Sequence, residues 1–142
     1  MEHSKNHGTG VQREVFKMSV SKGLEEFLRY IRDTEQLHRI SIYDEQQSND
    51  ETQDILHSLE LEEHDYHSTA HLAKKLKKVR QKRRAAKDLI TQTTPIIDWV
   101  EHNRGIIKGL EQLLGKVRKE EKNADGRIYT PKTTITDDGK KV

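Results

Sequence analysis

Cysteine is absent from the 142 residues. Disulfides, Cys-ligated zinc and thiol catalysis are excluded with it, and a cytoplasmic setting is the expectation. Aromatic residues are scarce at 5%, and hydrophobic residues reach only 31%, against roughly 45–50% in an ordinary globular domain. That shortage excludes a deep core. It leaves room for a thin one, because a helix buries a face with apolar residues at about two or three of every seven positions. No apolar run approaches the length of a bilayer span, so no membrane is expected among the partners. The opening Met1–Gly10 is polar, and no secretory leader is expected. Neither a Gly-x-Ser-x-Gly elbow nor a Walker-type phosphate loop occurs, which removes the usual sequence signals for nucleophilic and nucleotide-dependent catalysis.

Charge is abundant, at 35% of residues with a net of +2. The near-neutral total hides a segregation. Residues 1–68 hold 7 Lys+Arg against 15 Asp+Glu, whereas residues 69–142 hold 19 against 9. Two physical readings follow. Either the halves neutralise one another within the fold or within an oligomer, or the basic half meets a polyanion.

Periodicity predicts an all-α chain. Residues 1–20 read as a flexible arm, 21–122 as a helical domain, and 123–142 as an extended or disordered tail. The spacing of Leu24, Phe27, Leu28 and Ile31 predicts a first helix over about Lys22–Glu45, capped by Ser21. Gln46–Asp50 reads as a loop. A short second helix with Ile55, Leu56 and Leu59 is expected to end near Leu61. Leu72, Leu76, Val79, Arg83, Ala86 and Ile90 then follow the 4-3 rhythm of a coiled-coil seam. Ile96, Val100, Asn103, Ile107, Leu110, Leu114 and Val117 repeat it. Thr94-Pro95 between the two stripes reads as an N-cap and a first helical position. The expected architecture is therefore an antiparallel helical hairpin, coiled-coil-like, turning at Thr91–Pro95, with each stripe covering the other and the two N-terminal helices packed alongside. Gly105 is a position where the last helix would bend. Trp99 is expected near the seam or against the first helix.

The strongest functional pattern is the run from Lys74 to Lys87. Lys74, Lys75, Lys77, Lys78, Arg80, Lys82, Arg83, Arg84 and Lys87 supply nine cations in fourteen residues. On a helix, Lys74, Lys77, Lys78 and Arg84 turn away from the Leu76/Val79 seam and form a stripe suited to a phosphate backbone. No aromatic residue interleaves them, so base stacking is not implied. The opposing reading is a solvated face paired to acidic neighbours.

Histidines give a second pattern. His57, His64, His67 and His71 crowd into fifteen residues. His64, His67 and His71 share a face if the segment is helical, and two His four apart can reach one zinc. No third ligand type or supporting shell is evident, so no metal and no cofactor are expected, with His64, His67 and His71 kept as the metal candidates. Glu35-Gln-Leu-His38 has the spacing of di-iron bundles but lacks a good second copy. His64-Asp65, with His38 before and Asp98 after, has the order found in metal-dependent phosphohydrolases, but Leu61-Glu-Glu replaces the apolar stretch that precedes the pair there.

Glu51–Leu61, Leu72–Asp88, Leu114–Lys119 and Arg127–Pro131 together resemble small uncharacterised α-helical phage or prophage proteins of Gram-positive hosts, over roughly residues 24–132. The resemblance implies a cytoplasmic role in an infected cell and carries no active site. The expectation is a non-enzymatic protein that contacts nucleic acid through the basic helix. The alternatives are an inhibitor that grips a host or anti-phage defence protein through helix faces and, more remotely, a hydrolase at the His cluster. Self-association is the remaining partner expectation.

Overall fold

A computed structural model describes residues 19–133. They form three helices: α1 (Val20–Leu61), α2 (Tyr66–His102) and α3 (Arg104–Asp125). No strand occurs among the described residues. The expected arm at residues 1–20 lies outside them except for its last two positions, and so does the end of the expected tail, from 134 onward.

α1 runs for 42 residues, about 63 Å at 1.5 Å per residue. Its buried line takes in Ser21, Leu28, Ile31, Thr34, Ser41, Ser48, Thr52 and Ile55. The expected loop at Gln46–Asp50 is thus helix, and the expected first and second helices are one. The reason is visible in the hydroxyls. Thr34 donates to the Tyr30 carbonyl at 2.7 Å and Thr52 to the Ser48 carbonyl at 2.7 Å. Side chains that usually compete with helix backbone instead bond four residues back and stay compatible with it.

α2 returns antiparallel to α1. Ser58 and Ser68 both meet His64, Asn49 meets Arg83, and His38 meets Thr93. The reversal therefore sits at Glu62–Asp65. The expected turn at Thr91–Pro95 is corrected: Pro95 lies inside α2. A helix-interior proline costs about 3 kcal/mol through its missing N–H and its clash with the preceding turn. Here Thr91, Thr93 and Thr94 back-bond to the Lys87, Leu89 and Ile90 carbonyls at 3.0, 2.7 and 2.6 Å. The helix ends instead at Asn103, whose φ of −130° leaves the helical region, two residues ahead of the suspected Gly105.

The two apolar stripes are both buried, but not against each other. Val79, Ala86, Thr93, Val100, Ile107 and Leu114 are buried at uniform seven-residue steps. α2 packs extensively on α1, α3 packs on α1 as well, and α2 and α3 barely touch. α3 lies antiparallel to the first turns of α1: Arg104 reaches Glu35 at 3.3 Å, Arg118 reaches Glu25 at 3.1 Å, and Glu121 holds Ser19 and Ser21. Leu28, Ile31, Val100, Ile107 and Leu114 join there in the main apolar cluster, with Leu24, Ile96 and Leu110 beside it.

Two sets of measurements test this packing. Leu28→Ala empties the main cluster and is expected to cost about 2–5 kcal/mol in chemical denaturation. Ser48→Ala is expected to stabilise by up to about 1–2 kcal/mol, because the Ser48 hydroxyl is buried with no hydrogen-bond partner. Separately, the Glu121 carboxylate is held below its usual pKa of 4.5 by the Ser21 hydroxyl, then the Ser19 hydroxyl and the Ser21 N–H. A lowered folded-state pKa means that the stabilisation is complete above the unfolded value and lost as pH falls through the folded one. Glu121→Gln is expected to flatten the dependence of the unfolding midpoint on pH just below pH 4.5.

Candidate polyanion-binding face

The basic run occupies the middle of α2, and its placement starts at the turn. Asp65 caps the helix, its Oδ1 accepting the Ser68 N–H at 2.7 Å. His64 braces the reversal: its Nε2 donates to the Ser58 carbonyl at 2.9 Å, and its Nδ1 lies 2.8 Å from the Ser68 hydroxyl. The imidazole is 14% exposed. Leu72, Leu76, Val79, Ala86 and Ile90 then anchor one side of α2 against α1 and set the rotation of every residue between them.

That rotation leaves Lys74, Lys75, Lys77, Lys78, Arg80, Lys82 and Arg84 exposed, and Lys87 half-buried. Arg83 differs. It falls on the seam, half-buried, and its Nε donates to Asn49 Oδ1 at 2.6 Å. It is a structural tie as much as a surface cation, and Asn49 is a partner that sequence spacing alone did not indicate. His71, Lys74, Lys75 and Lys78 line a shallow cleft of about 200 Å³ on the helix surface.

The electrostatic setting bears on both readings of the run. From Ile40 to Ala73 the chain has no Lys or Arg but carries Asp44, Glu45, Asp50, Glu51, Asp54, Glu60, Glu62, Glu63 and Asp65. The part of this acidic stretch that lies in α1, Asp44 to Glu60, runs beside the basic stretch of α2, and Glu62, Glu63 and Asp65 lie in the turn. Nevertheless, among the described residues none of the nine cations forms an ion pair. The ion pairs that do form involve Arg29, Arg104, Arg118 and His64. The field of the cations is therefore available to an outside anion.

The histidine candidates are not brought together. His64 lies in the turn before α2 begins, so it shares no helix face with His67 and His71, and both its ring nitrogens are engaged. His67 and His71 are exposed on α2. Among the described residues no three His, Asp or Glu side chains stand as a metal site. His38 of the Glu35–His38 pair is likewise occupied. Thr93 gives its proton to the Leu89 carbonyl, so its oxygen accepts from His38 Nδ1 at 2.8 Å. Trp99 sits against α1, in a groove with Phe27, Tyr30 and Ile31.

Comparisons with protein families, with curated proteins and with solved structures find no match to this chain. The arrangement itself can attract and neutralise a line of negative charge. Its dependence on the turn is measurable: Asp65→Ala is expected to cost about 0.5–2 kcal/mol of stability, read as a lowered denaturation midpoint with amide exchange accelerated first in residues 66–69.

Proposed function

We propose that this is a non-enzymatic binding protein whose α2 contacts nucleic acid, with the α1–α2 pair serving as a coiled-coil-like scaffold. The contact set is Lys74, Lys75, Lys77, Lys78, Arg80, Lys82, Arg83, Arg84 and Lys87. The observation that carries the reading is the absence of ion pairs at these nine residues among those described, although an acidic helix lies alongside. Fourteen helical residues span about 21 Å, and one strand of a duplex offers a phosphate about every 3.4 Å along that length. The spacing therefore suits a backbone contact that positions a polyanion without reading its sequence. An accessory role in phage-infected cytoplasm is the setting proposed on the sequence resemblance. A second reading, an inhibitor that grips a host or defence protein, draws on the exposed Ile106 and Leu113 of α3.

Fluorescence anisotropy with a labelled DNA duplex tests the first reading. Binding is expected to weaken by about 0.9 log units per decade of salt for each phosphate contacted. Lys77→Glu, Lys78→Glu and Arg84→Glu together are expected to abolish it while leaving helix content intact. Salt-independent binding, or unchanged affinity in the triple variant, refutes the role. A stoichiometric protein captured from infected cells regardless of nuclease treatment selects the second reading.

A further inference from the structure

Two surface grooves flank the α1–α2 seam, one near each end. The first lies near the start of α1 and is lined by Phe27, Tyr30, Ile31, Pro95, Ile96 and Trp99, with almost wholly apolar walls and a volume of about 320 Å³. The second lies near the turn and is lined by Glu51, Asp54, Ile55, Ser58, Leu72 and Lys75, at about 210 Å³. Phe27, Tyr30, Glu51 and Ser58 on α1 each stand one residue ahead of a seam position, as does Lys75 on α2. In an antiparallel pair, residues just ahead of the seam on both helices meet on the same side. Both grooves therefore open on one flank of the hairpin.

Seven-residue columns join them. On α1, Tyr30, Leu37, Asp44 and Glu51 form one column, and Ile40 and Asp54 extend a second. On α2, Lys75, Lys82, Leu89 and Ile96 form one column, and Lys78, Ala85, Gln92 and Trp99 another. Along this flank the chemistry changes in step on both helices. Toward the start of α1 it is mainly apolar: Phe27, Tyr30, Leu37, Ile40 and Trp99 are 39–54% exposed, with Glu26 and Asp33 at its outer edge in the column of Ile40. Toward the turn, α1 presents Asp44, Glu51 and Asp54 while α2 presents Lys75, Lys78 and Lys82.

We propose that this flank is the dimerisation surface of the protein and that its occupant is the same flank of a second copy, related by a two-fold axis along the hairpin. That operation puts α1 of each copy opposite α2 of the other. The acidic column then faces the basic column twice, and the apolar ends cover each other. The reverse orientation would set both charged ends on apolar ends, so charge complementarity selects the axis. The product is a four-helix bundle at the α1–α2 pair, with Trp99 inside the new contact. Lys74, Lys77, Arg80, Arg84 and Lys87 lie off this flank and stay outward in the pair, whereas Lys75, Lys78 and Lys82 of the contact set proposed above are taken up by the interface, so the charge variants below are read by mass and not by nucleic-acid affinity.

Sedimentation velocity on the full chain at tens of micromolar is the test. The expected species has twice the 16.6 kDa chain mass, and dilution is expected to shift the emission of the single Trp to the red. Tyr30→Glu with Leu37→Glu is expected to weaken dimerisation at least tenfold. Lys75→Glu, Lys78→Glu and Lys82→Glu form one charge variant; Asp44→Lys, Glu51→Lys and Asp54→Lys form another. Each is expected to be monomeric alone, and their mixture is expected to pair as a heterodimer. A monomeric wild type overturns the proposal, whether its Trp99 emission is red or already blue through cover by the chain itself. So does a dimer that survives the Tyr30/Leu37 change, or a mixture of charge variants that does not pair.

Discussion

Between Thr34 and Thr52 the buried line of α1 consists of Thr34, Ser41, Ser48 and Thr52, without one large apolar side chain. A buried aliphatic side chain contributes about 1.5–3 kcal/mol, whereas a satisfied hydrogen bond contributes about 0.5–1.5. The middle of the hairpin is therefore held lightly, by His38 on Thr93 and Arg83 on Asn49. Its firm attachments lie at the two ends. One is the cluster of Leu28, Ile31, Val100, Ile107 and Leu114, and the other is Ile55 and Val79 with their neighbours near the turn. The length of α1 depends on those ends, because the hydroxyl-lined stretch gains its order from being spanned. The scarcity of apolar residues is spent where it closes the structure.

The same geometry explains how an acidic helix and a basic helix lie together without neutralising each other residue by residue. Packed helices stand about 8–10 Å apart axis to axis, and their outward side chains are further apart still. The screening length at physiological ionic strength is about 8 Å. Charges on the outermost faces of α1 and α2 are thus beyond effective reach of one another, whereas Glu51, Asp54 and Lys75, which line one groove beside the seam, are not. The net charge of the pair is small, yet the local field outside α2 remains that of its lysines and arginines. Neutrality in composition and cationic character at one face coexist because the helix diameter exceeds the screening length.

Much of the buried face was legible in the sequence, and its partner was not. Leu72, Leu76, Val79, Ala86 and Ile90, and then Val100, Ile107 and Leu114, are the residues that α2 and α3 turn inward. The rhythm passes through Thr93 and Val100 without interruption, so the two stripes belong to helices that share one partner. Thr94-Pro95 misled because a local rule, capping serine or threonine followed by proline, competes there with a longer periodicity. The actual reversal, Glu62-Glu63-His64-Asp65, contains no Gly or Pro and gives no breaker signal. Gln46–Asp50 misled for a different reason: a seam built of hydroxyls is invisible to a search for apolar periodicity. The basic run was legible because it is a linear property. The fate of Arg83 was not, because its partner Asn49 comes from 34 positions earlier in the chain. The metal pattern at His64, His67 and His71 dissolved once the turn separated the first of them from the helix that carries the other two.

The rotation of α2 divides a single run of cations between two surfaces. Lys75, Lys78 and Lys82 fall on the flank that also carries Trp99, while Lys74, Lys77 and Arg84 point away from the seam. A helix advances 100° per residue, so alternation between neighbours in the run is enough to serve both. Were the flank to close on a second copy, the outward cations of the two α2 helices would stand on opposite sides of the bundle. Each face would keep its own field, since the bundle is wider than the screening length. A paired molecule would then hold two polyanion segments at once, with the second contact favoured by the first when both lie on one strand long enough to wrap the bundle. In such a paired molecule the outward contact would rest on Lys74, Lys77, Arg80, Arg84 and Lys87, with Lys75, Lys78 and Lys82 drawn into the interface.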